Sequence, residues 1–238
     1  MKENSIEFLK KIAPTRAYQA VVNQLESAIL SGNLKPGKKL PSERELIDVF
    51  ATSRRTLREA FRVLEQKGLI AIKIGSKGGT FVANQVGEKL VETLTLFVRS
   101  ESIPQEDLAE FRALTECAVV ELLGRRADEA VFELIDAAMV DIESLLNDGS
   151  IDKQQFVEKE MALHQLLADR CGNAMYTPIL KTIYDLLLRD AFMMDHIDKT
   201  YVQDAMADWR EILAALRCGN AKVAGELMKR HILGFAQN

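Results

Sequence analysis

The densest chemistry in the sequence lies in Thr52-Ser53-Arg54-Arg55-Thr56-Leu57-Arg58-Glu59-Ala60. Ser53 suits a helix N-cap, and the hydroxyls and guanidinium groups behind it crowd the first turns, where unpaired backbone N–H groups also favour a phosphate. Ser53, Arg54, Arg55 and Thr56 project from the leading end of such a helix, and Arg58 follows one turn later. This composition suits the major groove of double-stranded DNA, where an arginine can take guanine O6 and N7 with its fork while other donors hold phosphates. Arg44, on the preceding helix, can reach the same groove or its phosphates, and Lys73 and Lys77 suit backbone or minor-groove contact. A solvated basic helix face would contain the same residue types. Four arginines on one short helix pair, within the pattern of elements described next, argue against that plainer reading.

The elements that must position these residues are legible around them. Pro14-Thr15 opens a helix running to about Ser31, after a short amphipathic lead from Ser5 to Ile12, and Ala20, Val21, Leu25, Ala28 and Ile29 recur on one face at helical spacing. Gly32-Asn33 ends it, and Leu34-Lys35-Pro36-Gly37-Lys38-Lys39-Leu40-Pro41 is too rich in turn residues to continue a helix. Ser42 with Glu45 forms a capping box for a short helix from Glu43 to Phe50. After a turn at Ala51-Thr52, a third helix from Arg54 to Lys67 turns Leu57, Ala60, Phe61 and Leu64 inward and stops at Gly68. Two β-rich runs, 69–74 and 80–83, flank the tip Gly75-Ser76-Lys77-Gly78-Gly79 and read as a hairpin. Three helices and a basic-tipped hairpin make a winged helix-turn-helix.

Asn84 to Gly87 reads as a linker, which gives two domains, 1–84 and 85–238. The second has no strand signal. Its helical periods break at Ser102-Ile103-Pro104, Ala127-Asp128, Asp148-Gly149-Ser150, Cys171-Gly172-Asn173, His196 and Cys218-Gly219-Asn220, which predicts an all-α bundle of about seven helices. The fold class is therefore mainly α. Charge divides the same way: residues 1–85 carry 15 Lys and Arg against 8 Asp and Glu, the remainder 16 against 27. A basic segment joined to an acidic one suits a polyanion-binding module attached to a part that stays off the polyanion.

Composition narrows the class further. No apolar run approaches the roughly 18 residues of a membrane span, and the start of the chain lacks the apolar core of a signal peptide. Three scattered cysteines, Cys117, Cys171 and Cys218, sit in apolar helical patterns and suit a reducing cytoplasm, as core or half-buried thiols rather than a disulfide or zinc framework.

The run Ile29-Leu30-Ser31-Gly32-Asn33-Leu34-Lys35-Pro36-Gly37-Lys38-Lys39-Leu40-Pro41-Ser42-Glu43-Arg44-Glu45-Leu46 resembles the signature of the GntR family of bacterial regulators. So do Ser53-Arg54 with Leu57-Arg58-Glu59-Ala60, Leu64-Glu65 with Lys67-Gly68-Leu69, and Gly79-Thr80-Phe81-Val82. The resemblance implies that Arg44, Arg54 and Arg58 are the main DNA-reading arginines, flanked by Ser53, Arg55 and Thr56, with Gly75 as the wing glycine.

Beyond residue 85 the sequence is similar to the FadR-like branch, whose helical effector domain, called FCD, commonly binds a small carboxylate, often through a metal. The marks are Glu110-Phe111-Arg112-Ala113-Leu114 with Glu116, Glu160-Met161-Ala162-Leu163-His164, Cys171-Gly172-Asn173 and Met228-Lys229-Arg230-His231. By this resemblance Arg112, Glu160, His164, Trp209 and His231 line the effector pocket, and Glu160, His164 and His231 are the candidate ligands of a zinc- or nickel-like ion. Residues at i and i+4 share a helix face, so Glu160 and His164 can converge. Two departures stand out. Glu160 replaces the usual Asp, and Trp209 stands where the middle histidine is usual; an indole N–H is a donor only and cannot ligate a metal. Water or effector could fill that gap at reduced metal affinity, or the two histidines could serve as hydrogen-bonded pocket or core residues without a metal. Arg112 could grip an anionic effector with a bidentate fork or be held in an ion pair with Glu116.

These readings lead to a transcriptional regulator, repressor or activator, that binds operator DNA as a homodimer and responds to a small organic acid. The competing classes are a metal-dependent hydrolytic enzyme built on Glu160, His164 and His231, and a winged-helix module that binds protein. No nucleophile elbow or phosphate loop supports the first, and the arginine density argues against the second.

Overall fold

A computed structural model of the chain describes residues 16–75, 78–146, 152–188 and 197–236. The Ser5 lead, the helix opening at Pro14, Lys77 and the breaks expected at Asp148–Ser150 and at His196 lie outside the described residues. The chain divides into two compact units, Met1–Lys89 and Leu90–Asn238.

In the first unit, α1 (Arg16–Leu30) packs on α3 (Arg54–Gln66), and α2 (Glu43–Phe50) crosses between them in sequence. The capping box at α2 is formed as expected: Ser42 Oγ accepts from Glu45 N–H at 3.3 Å, and Glu45 Oε2 accepts from Ser42 N–H at 2.7 Å. Strands β1 (Ile70–Lys73) and β2 (Gly79–Val82) pair antiparallel, with Ile70 opposite Val82 and Lys73 opposite Gly79. Leu40, Leu57, Phe61, Leu64, Ile70 and Val82 share one apolar core with Val22 of α1. That core fixes the basic face of α3 outward, because the helical period that buries Leu57, Ala60, Phe61 and Leu64 leaves Arg54, Arg55 and Arg58 exposed.

Seven α-helices follow among the described residues: α4 (Val86–Ser100), α5 (Gln105–Arg126), α6 (Glu129–Glu143), α7 (Lys153–Arg170), α8 (Tyr176–Leu187), α9 (Lys199–Arg217) and α10 (Ala221–Ala236), with one 3-10 turn at Ser144–Leu146. Val86 and Gly87, expected in the linker, instead form the first turn of α4, where a glycine costs less helix than in an interior. The other expected breaks within the described residues hold, with Asp128 capping α6 through Val131 N–H and Gly219 in the left-handed region at φ +75°. Cys117 is half-buried and Cys171 buried, but Cys218 is exposed, contrary to the sequence reading. It occupies the C-cap of α9, where the apolar stripe has already ended at Leu216.

The second unit is built around the antiparallel contact of α5 and α10, brought close by two glycines. A Cβ on Gly124 would lie 2.8 Å from the Ala221 side chain, and one on Gly225 would lie 3.0 Å from Cys117 Sγ. Around this contact each helix buries a stripe at 3–4 spacing: Ala113, Glu116, Val119, Val120 and Leu123 on α5; Phe156, Val157, Glu160, Met161, His164, Leu167 and Ala168 on α7; Val202, Ala205, Met206, Trp209, Ile212, Leu213 and Leu216 on α9; Ala224, Met228, His231 and Ile232 on α10. The titratable residues stand at positions the helical period reserves for the core.

Candidate nucleic-acid interface and effector site

On the first unit, α3 begins with Ser53 as its N-cap, and the Ser53 hydroxyl is engaged inside the protein. It accepts from Thr56 N–H at 3.1 Å and shares a hydrogen bond with Thr56 Oγ1 at 2.8 Å. These two candidate DNA contacts therefore also shape the helix start. Arg44, Arg54, Arg55 and Arg58 are exposed. Glu43, at the start of α2, accepts from Arg58 Nε at 3.2 Å and lies 4.0 Å from Arg54 Nε. On the hairpin, the Lys73 ammonium sits 5.1 Å from the Phe81 ring centroid, and Lys39 donates to the Gly78 carbonyl at 2.5 Å. Gly75 has φ +118°, a conformation an L side chain rarely adopts, with open space where a Cβ would lie. Gly75 thus holds its backbone at the surface.

In the second unit Arg112, Glu160, His164, Trp209 and His231 come together, all buried, from α5, α7, α9 and α10. The ligating atoms of Glu160, His164 and His231 lie within 4.8 Å of one another. Each imidazole is held from behind by a carboxylate. His164 Nδ1 is hydrogen-bonded to Glu116 Oε2, and His231 Nδ1 lies 3.3 Å from Asp208 Oδ2. His231 Nε2 faces Glu160 Oε1 at 3.5 Å, while His164 Nε2 is buried and has no hydrogen-bond partner among the described residues. Trp209 packs edge-on to His164, with ring centroids 4.8 Å apart, and its indole N–H donates to Glu160 Oε1 at 3.4 Å. The tryptophan is more than an apolar wall, because it supplies a hydrogen bond to the one carboxylate of the triad.

Glu116 links the candidate effector arginine to the candidate ligands. Its Oε1 accepts from Arg112 Nε at 2.6 Å, its Oε2 binds His164, and the Arg112 guanidinium lies over the Tyr184 ring, 5.5 Å from the centroid. Arg112 is thus in the ion pair that the i, i+4 spacing allowed. Burial pushes the Glu116 carboxyl up, but His164 and Arg112 outweigh it and hold it at about 2. Burial lowers His164 against the pull of Glu116, which favours the neutral ring near neutral pH. An ionised carboxylate only accepts, so the neutral ring carries its proton on Nδ1 and turns a lone pair outward at Nε2. Burial also lowers His231, but the hydrogen bonds to Asp208 and Glu160 prevail and raise it to about 9.

Sequence reasoning missed two members of this cluster. Asp208 gave no signal beyond adjacency to Trp209, and Tyr184, whose buried hydroxyl has no hydrogen-bond partner among the described residues, gave none. Glu116 was visible only as a partner for Arg112; its second bond, to His164, spans two helices. The donor set fits a divalent metal. Two imidazole nitrogens and a carboxylate converge, each histidine is oriented by an outer carboxylate, and the His164 lone pair is otherwise unsatisfied, while His231, raised to about 9, would have to give up a proton to ligate.

Comparison with known proteins agrees with this architecture. The family model described as bacterial regulatory proteins, gntR family, matches residues 17–82, and that of the FCD domain matches residues 107–234. The chain is 31% identical to the HTH-type transcriptional regulator LutR of Bacillus subtilis over 86% of this chain and 92% of that protein. It is 25% identical to the HTH-type transcriptional repressor NanR of Cronobacter sakazakii over 94% of this chain and 85% of that protein. A solved GntR structure from Streptococcus agalactiae superposes with a TM-score of 0.68 at 23% identity, covering 93% of this chain and all of the other, and shows the shared fold. The fold and the matches define a winged-helix transcriptional regulator with a helical effector-binding domain, not an enzyme. The chain belongs to the GntR family, in the FadR-like branch that carries an FCD domain. Among the described residues no helix is long and apolar enough to cross a membrane.

Proposed function

We propose that the chain is a homodimeric regulator whose α3 enters the major groove of a near-palindromic operator, and whose affinity for that operator changes when a small organic acid occupies the buried cluster of the helical unit. The observation that carries this reading is the His164 Nε2 lone pair, buried and unpartnered beside Glu160 and His231. Buried polar atoms are costly unless satisfied, so one left open in a core of apolar stripes points to a ligand. Glu160, His164 and His231 would hold a divalent ion of the zinc or nickel class, with a coordination position left for water or effector because Trp209 contributes none. Such an ion, when bound, would polarise and orient the carboxylate of the effector. Arg112 gives one of its five donors to Glu116 and would add positive charge on the same side.

One recognition helix reads only a few base pairs, so a two-fold pair of heads accounts for an operator of useful length. The effector acts only through its different affinity for the two arrangements of those heads. The test combines native mass spectrometry of the untreated protein with operator binding. A dimer that retains a divalent ion, and whose operator affinity responds to small carboxylates, supports the reading. A protein that holds no ion after incubation with zinc or nickel, and whose DNA affinity no carboxylate alters, overturns the effector half of it. A monomer that binds a single half-site with full affinity overturns the dimer.

A further inference from the structure

We propose that Glu43 is a positioning residue for operator recognition: its carboxylate holds Arg58, and with it Arg54, in the arrangement that meets base edges, at the expense of general attraction to DNA. The inference rests on the reading of α3 as the groove-entering helix. Glu43 opens α2, and its carboxylate crosses to α3, where both oxygens accept from Arg58 Nε at 3.2 and 3.3 Å and one lies 4.0 Å from Arg54 Nε. The arginine side chains are 61% and 71% exposed, and that of Glu43 is 34% exposed.

An exposed ion pair adds little to stability, and a carboxylate beside phosphates repels them, so neither effect explains an acid inside the most basic cluster of the chain. What the geometry supplies is order. A long exposed arginine loses rotamer freedom when it grips a base, and a partner that restrains it beforehand removes part of that loss. Both contacts run through Nε, so the terminal amino groups, the pair that can take guanine O6 and N7, lie outside the contact. The first turn of a helix favours an acid for its dipole alone, so the distinguishing readout is discrimination between sequences and not thermal stability.

The experiment measures binding of the full-length protein across a salt series to an operator selected by the wild type from randomised duplexes, and to a scrambled duplex of equal length. Glu43→Ala is expected to bind the scrambled duplex at least as tightly as the wild type. The ratio of operator to scrambled affinity should fall by about fivefold or more, the discrimination carried by one good base contact. Glu43→Gln, which keeps an acceptor but not the charge, should lie between. Glu59→Gln removes the same charge from an exposed α3 position outside this ion-pair cluster and should leave the ratio unchanged. Loss of discrimination in Arg58→Ala with an unchanged ratio in Glu43→Ala overturns the role of Glu43 alone, as does an equal fall in Glu59→Gln. An unchanged ratio in Arg58→Ala itself overturns the placement of α3, and the role of Glu43 with it.

Discussion

The Glu116 carboxylate is shared between Arg112, which donates through Nε at 2.6 Å, and His164, which binds through Nδ1, so one acid on α5 sets both the ion pair and the orientation of the imidazole on α7. The site is therefore built from two layers, with Glu116 and Asp208 behind the groups that face inward. Outer carboxylates of this kind orient imidazole ligands and raise their basicity.

Glu116→Gln should separate the two consequences of that sharing. The amide keeps the shape but cannot act as an ionised acceptor toward both partners. Metal affinity, measured by competition with a chelator, is expected to fall by about 10- to 100-fold, as is typical when an outer partner of a ligand is lost. Stability should fall too, by roughly 3–5 kcal/mol, because the Arg112 charge is left buried without its counter-ion. A variant with wild-type metal affinity would show that Glu116 serves the ion pair alone.

On the first unit, Arg54→Ala or Arg58→Ala is expected to weaken operator binding by about 1–3 kcal/mol and to relax base preference locally, as loss of a direct base contact does. Lys77→Ala should weaken all sequences alike and reduce the salt slope by about one, as loss of a phosphate contact does. Anisotropy titrations on operator and scrambled duplexes at several salt concentrations read both effects. Intact specific binding by Arg54→Ala would remove α3 from the groove.

The α2 and α3 boundaries, the capping box and the inward face of Leu57, Ala60, Phe61 and Leu64 were legible because caps and helical periods are local. The start of α4 was misplaced because Asn84 to Gly87 contains a glycine and polar residues, and nothing local distinguishes a linker from a first helical turn. In the cluster, Glu160, His164, His231 and Arg112 were legible from the family resemblance, and the i, i+4 spacing supplied a physical reason only for Glu160 and His164 to converge. Asp208, Tyr184 and the second bond of Glu116 were hidden because each depends on which helices meet, and no sequence interval encodes the approach of α5 to α7 or of α8 to either.

The proposed homodimer needs a contact surface, and α5 offers a candidate. Phe111 and Leu114, three residues apart on α5, are 46% and 53% exposed in the isolated chain. Residues three apart share a helix face, so the two side chains offer one apolar surface for a partner. Sedimentation of the wild type at micromolar concentration should give a dimer, and Phe111→Glu with Leu114→Glu should shift it toward monomer and weaken binding to a two-half-site operator more than to a single half-site. A double variant that remains dimeric would place the interface elsewhere.

Trp209 gives the sharpest test of the cluster. It is fully buried, packs on both His164 and His231, and donates to Glu160, so any ion or acid entering beside those groups must disturb the indole. As the only tryptophan in the chain, its emission reports that event directly. Titration with zinc or nickel, and then with small carboxylates, should change its intensity or wavelength in step with the change in operator affinity. Trp209→His should raise affinity for zinc or nickel, because an imidazole replaces a group that can only donate, and a fourth protein ligand completes a closed site. The same change should lower the melting temperature of the metal-free protein, since replacing a fully buried indole with a smaller polar ring loses apolar contact and leaves space. Added metal should recover part of that loss, because a ligand that binds only the folded state stabilises it by mass action. If Trp209→His left metal affinity unchanged while still folding, the three groups around it would be a hydrogen-bonded polar core and not a metal site.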